Sequence, residues 1–198
     1  LRTLSQKTQM CIQRVDGGLK DNAIPVETRA VVVVSDAQAA QQVVRDMEHI
    51  LQNEYHTTDP ALFVKSEAAE AAELPLDPSS TAKVICMLQC LPNGIEAMSA
   101  EIHGLVQTSL NMGILATSED TVRTSYSVRS SIDSQKQMLK ERLSCLMEQL
   151  GGRVEFTGEY AGWQYQEESP LRELLVEVFR DQYGKDPKIE AIHAGLEW

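Results

Sequence analysis

Two periods alternate along this chain. Leu139, Leu143, Leu146 and Leu150 recur at spacings of 4, 3 and 4, which predicts an amphipathic helix. Ser134 and Gln137 precede it as a capping box, and Gly151-Gly152 ends it. A second helix is read from Val43, Val44, Met47, Ile50 and Leu51, with Ser35 and Gln38 as its capping box. A third carries Val84, Ile85, Met87, Leu88 and Leu91, capped by Ser79 or Ser80 and stopped by Pro92-Asn-Gly94. Ser169-Pro170 opens a fourth, with Leu171, Leu174, Leu175, Val178 and Phe179 on one face and Gly184 at its end.

The strand signals lie between these helices. Residues 1–15 read as a helix tail leading into a short strand, and Asp16-Gly17-Gly18 as a turn. The β-branched run Val31–Val34 predicts a buried strand, and Ala61–Lys65 another. From 105 to 131 the period is two: Val106, Thr108, Leu110, Met112 and Ile114 share one face. Val122, Thr124, Tyr126 and Val128 share a second, with Ser118-Glu-Asp120 between them, so an antiparallel pair is expected. Arg153–Tyr160 and Lys188–Ile192 read as further strands, and the acidic 67–78 stretch as a loop. This order predicts an α+β fold, an antiparallel-rich sheet with helices on one face. The residues after 160 form a separate helix–strand unit too small to fold alone.

Charge and composition narrow the function. Of 198 residues, 18 are basic and 29 acidic, a net charge of −11, the wrong sign for meeting phosphates. No apolar run reaches the ~20 residues of a membrane span, and a signal-peptide layout is absent. Cys11, Cys86, Cys90 and Cys145 form no CxxC pair, which suits a reducing, cytoplasmic compartment. The first residue is Leu1 rather than Met, in keeping with a piece of something longer.

Catalytic clusters are not visible. His49, His56, His103 and His193 make no close ligand pair, and neither a GxSxG elbow nor a phosphate-binding loop occurs. Cys86 and Cys90, one turn apart, read as small core hydrophobes in preference to metal ligands. Three segments carry more than their secondary structure needs: Asp16–Pro25 (DGGLKDNAIP), Thr124–Ser131 (TSYSVRSS) and Ile192–Glu197 (IHAGLE). In the second, Arg129 sits among small hydroxyls, where a guanidinium can fork onto a carboxylate.

Together with VQTSLNMGIL (106–115), SVRSSIDS (127–134), the GW…SPL stretch (162–171) and AIHAGLE (191–197), these segments resemble the zinc-dependent metallopeptidases of the aminoacylase and carboxypeptidase superfamily. The likeness is greatest to the Xaa-His dipeptidases, and it runs over nearly the whole chain. It implies a catalytic domain split in sequence around an inserted lid or dimerisation domain. It further implies that residues 1–160 are lid and 161–198 the start of an α/β catalytic segment.

The family's zinc ligands, its general-base Glu and its lid histidine fall outside the segments present. The resemblance therefore implies no catalytic residue, no metal and no peptidase activity in the chain alone, zinc or another divalent metal being held by the parent. It assigns substrate binding to Asn22, Arg129, His193 and Gly195. Asn22 would meet a peptide carbonyl or oxyanion, and Arg129 the free carboxylate of a dipeptide. Gly195 would line the pocket with its backbone, beside His193. Trp198 stands where the family continues with Cys-Gly, and Glu197 receives no role. A homodimer through the lid is implied, its two-fold surface expected on 105–116 or on the 135–150 helix. The rival reading is a stand-alone α+β interaction domain without catalysis; a small-molecule sensor is a third.

Overall fold

The computed structural model describes residues 1–70 and 73–194. Ten elements follow in order: α1 (Arg2–Ser5), β1 (Met10–Gly17), β2 (Thr28–Val34), α2 (Ala37–Tyr55), α3 (Pro78–Cys90), β3 (Gly94–Met98), β4 (Val106–Thr117), β5 (Val122–Ser130), α4 (Asp133–Gln149) and α5 (Pro170–Tyr183). β1 pairs antiparallel with β2 and β4, and β3 antiparallel with β4. The order is β2-β1-β4-β3, with β5 also on β4. The fold is α+β with an antiparallel sheet, as the alternation predicts. Two compact units share it: Leu1–Leu91 with Met112–Tyr126, and Pro92–Asn111 with Ser127–Trp198.

In the first unit, β1 and β2 pair from Met10↔Val34 to Gly17↔Thr28, with a register slip between Ile12 and Arg14. The extra residue, Gln13, resets the inside–outside alternation. Ile12 and Val15, three apart, are consequently both buried, at 0% and 1% exposure. The slip leaves strand polar groups that α3 and the residues just ahead of it satisfy. Ile12 N–H donates to buried Thr81 Oγ1 at 3.1 Å, and Ile12 O accepts from Leu76 N–H at 2.7 Å. Leu4, Met10, Val84, Ile85, Met87, Leu91 and Leu115 complete this core.

In the second unit, Leu139 and Leu143 of α4 are buried with Leu110 and Thr108 of β4. A buried hydroxyl needs a partner, and Thr108 Oγ1 has Ser130 Oγ at 2.8 Å and the Gln135 amide. Ser131 N–H donates to Gln107 O at 3.2 Å, while the hairpin turn, in the first unit, has Ser118 N–H on Thr121 O at 2.8 Å.

Several local expectations change. Ala61–Lys65, Arg153–Tyr160 and Lys188–Ile192 are not strands, because extended, partly apolar sequence needs a neighbouring ladder to become one. Two of them lean on helices instead. Val64 N–H donates to Glu48 of α2, and Lys136 and Lys140 of α4 hold Tyr160 O and Glu159. β3 was not expected at all: Gly94, read as a helix stop, also starts a strand. The single face read over 106–114 does not persist, since Thr108 and Leu110 are buried in one half of β4 and Gly113 and Leu115 in the other. Each half packs within a different unit.

Two capping assignments move by one to three residues and a third is lost. Asp36 caps α2 through Ala39 N–H at 2.9 Å, while Ser35 Oγ pairs with Thr8 at 3.0 Å. Asp77 caps α3, taking the N–H groups of Ser79 and Ser80 at 2.8 and 3.1 Å. α4 begins at Asp133 without a side-chain cap, and Gln137 bonds Glu141 instead. Ser169 caps α5 ahead of Pro170, and Gly184 closes it at φ 64°.

Candidate functional site

Glycines account for how the first unit positions Asn22. The ten residues between Gly17 and Thr28 form the loop on which Asn22 is exposed. Gly18 takes φ +72°, and a Cβ there would also collide with the carbonyl of Gly113 on β4. A Cβ on Gly113 would in turn strike the carbonyls of Lys20 and Asp21. Backbone therefore lies directly on backbone, which only glycine permits. The DGG and NMG motifs are two sides of one contact that presents 20–23. Asp16, just before it, accepts from Thr117 N–H at 2.9 Å, and Thr117 Oγ1 bonds Val15 N–H at 2.9 Å.

The second unit joins the other motifs in the same manner. Gly162 of the GW stretch lies on the Ser131 carbonyl, where a Cβ would come within 2.6 Å. Its N–H donates to Asp133 at 2.8 Å. That bond, followed by Lys136, holds the Asp133 carboxyl below the usual carboxylate range. Residues 130–133, which follow Arg129, are thereby fastened at both ends: Ser130 to Thr108, Asp133 to Gly162.

Arg129 and His193 come together here. His193 is half-buried, and Ser109 Oγ on β4 lies 2.7 Å from its Nε2. Desolvation, and then the Arg129 guanidinium, lower the imidazole below its ordinary value. Both effects favour the neutral imidazole. Arg129 itself is half-buried on β5 and enters no ion pair among the described residues. The result is a cation, unpaired among the described residues, within electrostatic reach of an imidazole biased toward its neutral form, an arrangement suited to an anion such as a carboxylate. Ser109 is the residue that sequence reading missed. Its hydroxyl sits within an alternating strand, and nothing local reveals a partner 84 positions away.

Asn22 belongs to the other unit, and Gly195 lies outside the described residues, as do Glu197 and Trp198. Cys86 and Cys90 have Sγ atoms 4.0 Å apart, but they are half-buried and exposed rather than core. They line a mostly apolar cavity of about 950 Å³ with Cys11, Ile85 and Val33, which includes none of the assigned site residues. Among the described residues, no three His, Cys, Asp or Glu side chains are grouped to hold a metal. No helix among them is long and apolar enough to cross a membrane.

No family model matches the chain. Cytosol non-specific dipeptidase of Escherichia coli (strain K12) is 32% identical over 184 residues, 92% of this chain and 38% of that protein. The crystal structure of aminoacylhistidine dipeptidase from Vibrio alginolyticus superposes with a TM-score of 0.86 at 28% identity, over 98% of this chain and 41% of that one. The chain thus spans about two fifths of the length of the dipeptidases that it matches. In sequence and in fold alike, it is similar to one segment of the Xaa-His dipeptidases.

Proposed function

We propose that residues 1–160 are the lid, and 161–198 the opening of the second catalytic segment, of a cytoplasmic metallodipeptidase that hydrolyses dipeptides of the Xaa-His type. The observation that carries this is Arg129, half-buried on β5 and without an ion-pair partner among the described residues. A dipeptide offers one free carboxylate at a fixed distance from its only peptide bond. A guanidinium that pairs with it measures the substrate from its end, because a longer peptide would put an amide there. By family resemblance, Asn22 would bring an amide to the peptide carbonyl or the oxyanion, and Gly195 would offer backbone to the substrate. Lid closure contributes orientation and charge pairing.

A divalent metal, zinc by family resemblance, would supply carbonyl polarisation and water activation in the whole enzyme. In this reading its ligands and the general base lie in other segments, so the 198-residue chain alone does not hydrolyse peptides. The test is a chimera in which this chain replaces its counterpart in the Escherichia coli dipeptidase. Losing a charge-assisted hydrogen bond of roughly 1.5–3 kcal/mol through Arg129→Ala is expected to cut kcat/KM about 10- to 100-fold for a free dipeptide. A C-terminally amidated dipeptide should lose little. Activity indifferent to Arg129 removes the carboxylate role.

The interaction-domain reading is kept as part of this one, through a homodimer. β4 is interior, pairing β1, β3 and β5, so 105–116 is not available as the two-fold edge. The free edge of β2, with Val33 45% exposed, and the apolar face of α2, which has no fully buried residue, support a copy-to-copy contact. Sedimentation should give a dimer that burial of roughly 1,000 Å² or more would sustain. A monomer at high concentration counts against it.

A further inference from the structure

We propose that Ser109 is a positioning residue: its hydroxyl donates to Nε2 of His193, holds the ring as the Nδ1–H tautomer, and so makes His193 a second hydrogen-bond donor, with Arg129, to one carboxylate. This rests on the reading of Arg129 as the carboxylate's partner. A neutral imidazole has one N–H and one lone pair, and its partner at one nitrogen decides which is which. The contact at Nε2 is 2.7 Å. That length accommodates Ser109 O–H donating to an unprotonated Nε2, the arrangement that leaves the ring's own proton on Nδ1.

Burial first, and then the charge of the Arg129 guanidinium, disfavour a positive charge on the imidazole. A carboxylate on Arg129 would be repelled by a bare Nδ1 lone pair and bound by an Nδ1–H. Ser109 thus converts a ring of ambiguous polarity into a donor without adding charge. β4 supplies the rigid base: flanking residues Thr108 and Leu110 are 1% and 2% exposed.

The test is long-range 1H–15N NMR of the ring nitrogens in the 198-residue chain at pH 7.5, with His193 assigned by His193→Gln. The expected result is Nδ1 at a protonated shift and Nε2 at a lone-pair shift. Ser109→Ala should lose this pattern, and Ser109→Thr, which keeps the hydroxyl, should retain it. An Nε2–H ring in the unaltered chain overturns the proposal without needing any variant, as does a spectrum indifferent to Ser109→Ala. Dipeptide turnover plays no part in this readout. A chimera indifferent to Arg129 would remove the carboxylate reading and leave the tautomer result standing.

Discussion

α4 and α5 are two leucine-striped helices of similar length with opposite fates. α4 buries Leu139 and Leu143 at 0% and 5% exposure, whereas α5 leaves Leu171, Leu174 and Leu175 at 59%, 55% and 59%. Their caps are reversed in quality: α5 has the Ser169 cap and the Gly184 stop, α4 no side-chain cap. Good ends and a good stripe state that a helix forms and which face it offers. Burial depends on whether another element is there to receive that face, and of these two helices α4 alone has one among the described residues. The exposed stripe of α5 agrees with the proposed assignment of 161–198 to a catalytic segment whose remainder lies elsewhere.

Truncation should separate the two helices most sharply. Leu139→Ala, at a fully buried site, is expected to cost about 2–5 kcal/mol. Leu175→Ala, on the exposed face, should stay within about 0.5 kcal/mol. Urea unfolding of both variants checks this, and a large loss for Leu175→Ala would mean that α5 is covered in solution. Next in size is Gly162→Ala, which forces a Cβ onto the Ser131 carbonyl and should cost roughly 1–3 kcal/mol, as overpacking does. Circular dichroism melts would show it, and an unshifted midpoint would break the claim that this glycine fastens the 161–168 stretch to α4.

Caps give a smaller contrast. Ser169→Ala should remove about 1 kcal/mol of α5 helix stability, visible as lost helicity, while Ser134→Ala should change nothing because α4 does not use it. Smallest is the acid response of Asp133. Its carboxyl is held below the usual range by Gly162 N–H and Lys136, so its contribution is present above the unfolded value, about 3.9. It is lost as pH falls through the lower folded value. The Gly162 amide resonance should move only in that acid window, and Asp133→Asn should abolish the movement. A shift centred at or above the ordinary value would contradict the bond.

Much of the fold was legible because it is local. Helical spacing located α2, α3, α4 and α5, β-branching located β2, and alternation located the β4–β5 pair. Apart from caps displaced by a few residues, errors fell where a non-local partner decides. The 61–65, 153–160 and 188–192 segments look like strands but find helix side chains or no ladder. Gly94–Met98 looks like a helix stop but finds β4. The candidate site divides along the same line. Arg129 and His193 were named from residues that match a family pattern, whereas Ser109 emerged only once the chain had folded.

The sequence by itself determined the periods, the turn glycines and the residue types at the proposed site, since these depend on backbone sterics and side-chain chemistry within a few positions. Only the tertiary structure decided that Gly18 meets Gly113, that Gly162 meets Ser131, and that Ser109 meets His193. Each of these contacts joins residues dozens of positions apart. Such pairings depend on which surfaces exclude water together, and that is a property of the packed chain rather than of any stretch of it.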